Sequence, residues 1–306
     1  MKIRNISPGA FTILCAAVLT QVSQGGVVSL TSPDGKWRLN SDEFGASGGG
    51  LPGGGGGFRD FGSGTLTDYS WATSMMVTDG VTRQALTSDN GAGFTASTLG
   101  AGNVISDTTA GNVRTSTYSV TGFPTLRVTL TQTAANSGIS QQYLFTNTGA
   151  TALNLTMVSF HDVDLDGATF LNDTLFASGG KVSVTEGGRT VGFSSSPLGY
   201  QGFLAGFVPG GGITGGLDAF VWNNFGIPAG NLNTFRDVNG GVLGANMDAN
   251  NDGVSDAVMD VGYAFQNVFN IPAGGSATMT LSAVPEPSTG LLGVLALGVL
   301  NRRRRR

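Results

Sequence analysis

The strongest constraint on this chain is a hydrophobic period of two. Leu126, Val128 and Leu130 alternate with Arg127, Thr129 and Thr131. Leu153, Leu155 and Met157 alternate with Asn154 and Thr156, and Val182 with Val184 continues the theme. Val261, Tyr263 and Phe265 repeat it, as do Ala277, Met279, Leu281 and Ala283. Successive side chains of a strand point to opposite faces, so alternation of this kind buries one face and wets the other. Gly, Asn and Asp between the runs supply turns, and no long stretch has a helical period. The pattern predicts an all-β fold, a large antiparallel β-sandwich with long loops, over residues 26–283.

Composition closes off several alternatives. Apolar residues make up 40% of the 306, enough for a core, and the 50 glycines show no Gly-x-y period, so disorder and collagen are both excluded. The one cysteine, Cys15, excludes an internal disulfide and a thiolate metal cluster. The one histidine, His161, excludes a multi-histidine metal site. A net charge of −4 argues against nucleic acid as a partner. The run from Gly45 to Gly57 reads as a flexible surface loop. Its Gly45-Ala46-Ser47-Gly48-Gly49 matches a hydrolase nucleophile elbow, and Gly210-Gly211-Gly212-Ile213-Thr214-Gly215 matches a dinucleotide fingerprint. Neither has the strand-then-helix context that such motifs require, and both follow from glycine content.

The two ends have a different character. Lys2 and Arg4, the apolar stretch Ala10–Leu19 and the small-x-small Ser23-Gln24-Gly25 make residues 1–25 a secretory signal, with a signal helix too short to span a bilayer. At the other end stand Pro285, Glu286 and Pro287, then an uncharged apolar segment, then Arg302, Arg303, Arg304, Arg305 and Arg306. Residues 288–300 predict a short transmembrane helix of ~20 Å, below the ~30 Å of a hydrocarbon core unless arginines snorkel and the bilayer thins. The arginines keep that end cytoplasmic. The order and spacing of residues 284–306 resemble the PEP-CTERM sorting signal of exported bacterial proteins. That resemblance implies processing near Pro285–Pro287 by an exosortase, with the secretion machinery and, transiently, the inner membrane as partners. It implies a membrane-anchored precursor that ends at the cell surface or outside the cell.

Without the two ends the body keeps nine basic and nineteen acidic residues, a net charge near −10, and 17 of the chain's 20 acids are aspartate. Two segments concentrate them. Asp162, Asp164, Asp166 and Asp173 fall at positions 1, 3, 5 and 12 of a calcium-loop spacing, with Gly167 at 6. Asp248, Asn250, Asp252 and Asp256 place ligand types at 1, 3, 5 and 9 around Gly253, and resemble the calcium loops of dockerin and thrombospondin type 3 repeats. Alternate carboxylates converging on one hard cation make Ca²⁺ the candidate cofactor, with an Asp-rich β-edge turn at the first segment and a solvated Asn/Asp/Gly loop at the second as the alternatives. His161 precedes the first segment, but adjacency to Asp162 gives no Ser-His-Asp geometry. Trp71, Trp222 and Tyr200 are scattered aromatics that could stack on sugar.

The expectation is a non-enzymatic, exported cell-surface or matrix protein associated with exopolysaccharide, with no catalytic residues. A calcium-dependent carbohydrate-binding module is the alternative. An extracellular carbohydrate-active enzyme comes third, because Glu43, Glu186 and Glu286 are the only glutamates for a paired-carboxylate site.

Overall fold

A computed structural model describes residues 21–22, 26–48, 58–60, 67–68, 72–88, 99–163, 173–178, 181–186, 189–197, 200–205, 235–239, 242–246, 248–256 and 261–285. These contain strands β1 (Gln21–Val22), β2 (Val28–Thr31), β3 (Trp37–Ser41), β4 (Ser47–Gly48), β5 (Phe58–Asp60), β6 (Thr67–Asp68) and β7 (Ala72–Thr78). Then follow β8 (Arg83–Leu86), β9 (Val104–Ala110), β10 (Val113–Val120), β11 (Phe123–Ala135), β12 (Gly138–Asn147), β13 (Leu153–Val163) and β14 (Thr174–Ser178). The last are β15 (Lys181–Glu186), β16 (Arg189–Ser196), β17 (Tyr200–Ala205), β18 (Phe235–Asn239), β19 (Val242–Asn246), β20 (Val261–Ile271) and β21 (Ser276–Pro285). One 3-10 turn, Ala101–Asn103, is the only helical element among the described residues. The all-β expectation holds there. The signal helix and the transmembrane helix fall outside the described residues.

Nine strands form one sheet in the order β1-β9-β10-β11-β12-β21-β16-β15-β14. A second sheet runs β19-β18-β17-β20-β13-β7-β4, with β8 beside β7, and β2-β3-β5-β6 form a third. Every pairing is antiparallel except β17 with β18. The alternation seen in the sequence is realised strand by strand: in β10 and β11 each inward residue is buried and each Thr, Ser or Arg between is not. Inward residues of all three sheets share one core, from Leu39 in β3 through Leu130 and Phe145 in the nine-stranded sheet to Met157 and Phe265 in the second. Phe145 of β12 meets Phe269 of β20 at a ring separation of 6.4 Å, tying the two larger sheets face to face.

Two departures from simple alternation matter for function. The first is in β13 and β20, where Val158, Phe160 and Ala264 are as buried as the residues between them, so that part of the second sheet is covered on both faces. The second is the turn 42–46, which joins β3 to β4 and lies against the inner face of the nine-stranded sheet. The glycine-rich segment expected as a surface loop begins here instead with the buried Ala46 and with β4, paired to β7. Gly45 has φ +94°, and a Cβ there would stand 2.8 Å from Leu130 Cδ2 and against the Tyr143 hydroxyl. Only glycine meets both demands.

Candidate functional site

Among the buried polar groups of the described residues, two clusters stand out. The first surrounds the turn 42–46 and is fully engaged. Arg114 of β10, wholly buried, donates from Nε to Asp107 Oδ1 (2.8 Å) and from Nη2 to Asp107 Oδ2 (2.7 Å). It also donates to the carbonyls of Ser41 (3.1 Å) and Gly26 (3.0 Å). Asp42 accepts from the amides of Phe44 (2.9 Å), Ala46 (2.8 Å) and Ser88 (2.8 Å). Burial, the largest cause, raises the Asp42 carboxyl to about 6 against the pull of those amides. Gln132 and Gln141 donate to the carbonyls of Asp42 and Gly45, and Ser41 donates to Gln132. A network in which each member is used holds a turn in place; it has nothing left over for a ligand.

The second cluster lies between the two larger sheets, near the end where β21 finishes. His161 of β13 is the Cα partner of Tyr263 of β20, and their rings stack at 4.7 Å with 10° between planes. Phe193 of β16 approaches from the facing sheet, 5.0 Å from Tyr263 and 6.2 Å from His161. Phe265 meets Tyr263 edge-on at 5.2 Å. Period two places Ser159 on the same face as His161, and its hydroxyl shares a 2.6 Å hydrogen bond with His161 Nε2. His161 Nδ1 and the Tyr263 hydroxyl are buried without a hydrogen-bond partner among the described residues. A buried polar atom left unpaired costs about 1–3 kcal/mol, so two in ring contact are a structural expense.

Electrostatics makes this cluster neutral. Burial pushes the His161 imidazole down to about 3 and the Tyr263 phenol well above its ordinary value. The imidazole is therefore in its proton-accepting form across the physiological range, and the phenol keeps its proton. The arrangement offers one donor, one nitrogen not engaged by Ser159 and aromatic walls, with no ionised group among these residues.

Asp162 lies in β13 as the partner of Gly262 and Ala72, Asp164 and Asp166 fall outside the described residues, and Asp173 is buried just before β14. In the second segment Asp248 accepts the amides of Asp252 (3.0 Å) and Gly253 (3.1 Å), Asp252 accepts Val254 N (2.9 Å), and Asp256 accepts Ala249 N (2.7 Å). Asn250 donates to Asp252 (2.9 Å) and accepts its amide (3.2 Å). The loop then docks on β14: Ala177 N donates to Gly253 O (2.7 Å) and Ser255 N to Leu175 O (2.9 Å). Backbone bonds thus bring the second segment to the strand that follows Asp173, a neighbourhood the sequence did not reveal. Among the described residues no three His, Cys, Asp or Glu side chains gather closely enough to hold a metal. Pro285 ends β21 opposite Val191, while Glu286, Pro287 and Arg302–Arg306 lie outside the described residues, as do Trp71 and Trp222.

No family model and no curated protein sequence matches the chain. Solved structures do. A protein from Escherichia coli K12 named for aldose 1-epimerase activity aligns over 86% of this chain and 99% of its own, with 10% identity and TM-score 0.42. A galactose mutarotase-like protein from Lactobacillus casei ATCC 334 aligns over 85% and 100%, with 8% identity and TM-score 0.44. A bacterial glucoamylase complexed with acarbose aligns over 91% of this chain and 34% of its own, with 10% identity and TM-score 0.45. The expectation of a non-enzymatic surface protein, drawn from the sorting signal and the lack of a catalytic constellation, is corrected by these comparisons: the aligned structures carry enzyme names. Likeness at this level transfers neither a fold family nor a residue role to this chain.

Proposed function

We propose that this chain is the precursor of an exported, carbohydrate-active protein whose centre is the Ser159–His161–Tyr263 cluster. The supporting observation is the pair of unspent polar atoms, His161 Nδ1 and Tyr263 OH, held among the rings of Phe193 and Phe265. Neutral donors and acceptors beside aromatic faces suit an uncharged, hydroxyl-rich ring: the rings take its C–H face, and its hydroxyls satisfy the two orphan atoms. The neutral imidazole is also the form that can take a proton from such a hydroxyl.

Delivery rests on the ends of the sequence. Residues 1–25 direct export, residues 288–300 with the arginine cluster hold the precursor in the inner membrane, and an exosortase processes it next to Pro285-Glu286-Pro287. Support for that boundary comes from β21, which is hydrogen-bonded to β12 on one side and β16 on the other and ends at Pro285. Cleavage beyond Pro285 leaves the sheet complete. The decisive measurement is turnover of a panel of neutral mono- and polysaccharides by the native protein and by His161→Asn and Tyr263→Phe. Activity lost in both variants while each still unfolds cooperatively at neutral pH is expected; turnover indifferent to both changes, or none on any saccharide, overturns the reading. Separately, replacing Glu286 or deleting Arg302–Arg306 is expected to leave the precursor unprocessed, by mass spectrometry of its termini.

A further inference from the structure

The outward face of the nine-stranded sheet carries polar side chains in register. One row crosses six strands, Thr108, Thr115, Thr131, Gln142, Thr280 and Ser196 being successive Cα partners. All six are half-buried or exposed. Neighbouring rows are held by their own bonds, Thr117 with Thr129 and Thr146 with Ser276, each at 3.1 Å. Charge is nearly absent: Asp107, Arg114 and Arg127 are the only charged residues in β9, β10, β11, β12 and β21. The first two form the interior ion pair, which leaves Arg127 outside in these five strands; beyond them β16 contains Arg189, and β15 has an exposed Lys181 paired with Ser194. The chain as a whole is only 12% charged, and these five strands are poorer still. The strand preference of threonine accounts for the hydroxyls but not for the missing charges.

The geometry points to this face as a docking surface for a single chain of a neutral, hydroxyl-rich polysaccharide. Threonine and sugar hydroxyls both donate and accept, so bonds to water are exchanged for equivalent bonds across the contact. No ion has to be stripped of water on either side. The row covers five interstrand steps, ~24 Å, which is room for several sugar units and far more than a monosaccharide needs. Sheet twist of ~20° per step turns the row through ~100°, so a flexible chain can follow it and a flat crystalline surface cannot. The face is on the opposite side of the sheet from Phe193 and the His161 cluster, and is independent of the function proposed for that cluster.

The test is affinity electrophoresis of the full-length chain in detergent through gels containing hydroxyethylcellulose or alginate, with co-sedimentation on crystalline cellulose alongside. Retardation by hydroxyethylcellulose alone is expected, and it should be unchanged when salt is raised to about 0.5 M, because no charge pair is there to be screened. Thr131→Asp combined with Thr280→Asp should weaken binding at least about tenfold, whereas Thr131→Ser with Thr280→Ser should bind as the native chain does. Gln142→Lys, at an exposed site, repeats the charge test should the double aspartate variant fail to fold. The proposal is overturned by an absence of retardation in hydroxyethylcellulose, by equal retardation of the charged variants, by binding to crystalline cellulose or alginate, or by loss of binding in high salt. Concentration-dependent self-association that the charged variants abolish also overturns it, since the face would then belong to a second copy.

Discussion

The turn 42–46 and the His161–Tyr263 cluster are both polar, both buried and both pressed against aromatic rings, yet they are built on opposite terms. Around the turn, Arg114 is spent on Asp107 and two carbonyls, and Asp42 on three amides. In the cluster, Ser159 answers one imidazole nitrogen, and the other nitrogen and the Tyr263 hydroxyl are unanswered. The first arrangement closes a fold and the second leaves capacity for something else. Polarity inside a sandwich therefore does not mark a site; unspent polarity does.

Breaking the turn should be costly. Arg114→Ala leaves Asp107 buried opposite a void and is expected to lose about 3–5 kcal/mol of stability, read from denaturant unfolding. The two clusters should also answer pH in opposite senses. Asp42, raised to about 6 from 3.8, gives stability that is full below about pH 4 and is lost as pH climbs through 6, on the order of 3 kcal/mol. His161, lowered to about 3 from 6.5, gives stability that is full above about pH 6.5 and is lost as pH falls toward 3. Thermal unfolding across pH 3–7 should then show a loss on the acid side only in Asp42→Asn, and a loss on the rising side only in His161→Asn.

Gly45→Ala forces a side chain into a left-handed turn against Leu130 and Tyr143. A cost of about 2 kcal/mol is expected from the shift in unfolding midpoint. The smallest effect sharpens the contrast most. Ser116→Ala, which removes a bond to Glu43 O beside the turn, should cost about 1 kcal/mol. Tyr263→Phe should leave stability unchanged or raise it by up to about 1 kcal/mol, because its hydroxyl has no bond to lose. A clear destabilisation by Tyr263→Phe would put both clusters in one class.

The strands were legible because alternation is local. Leu126 to Leu130 and Ala277 to Ala283 needed only their own neighbours to be read, and they form β11 and β21. The turn 42–46 was not legible, since Ser41-Asp42-Glu43-Phe44-Gly45 has the composition of a wet turn. What buries it arrives from 73 to 96 residues away, in Arg114 and Gln141. The second covered face of β13 and β20 was hidden for the same reason: alternation predicts one dry face and cannot see a layer supplied from elsewhere. His161 was visible as a lone histidine near the end of a strand. Its stacking on Tyr263 depends on the register of β13 with β20, which no spacing along one strand specifies. At Asp248–Asp256 the Asx chemistry that would suit a cation also caps backbone amides, and spacing along the chain does not separate the two uses.

The place of β21 has a consequence in time. It is the last strand of the described body and stands between β12 and β16, so nothing made earlier can bridge those two. While the chain is being synthesised, both would present open hydrogen-bonding edges until the final body residues emerge, an invitation to wrong partners. Such a sheet closes late and in one step. A chain that stays unfolded until its last ten body residues are made is also one that can still be threaded through a narrow passage.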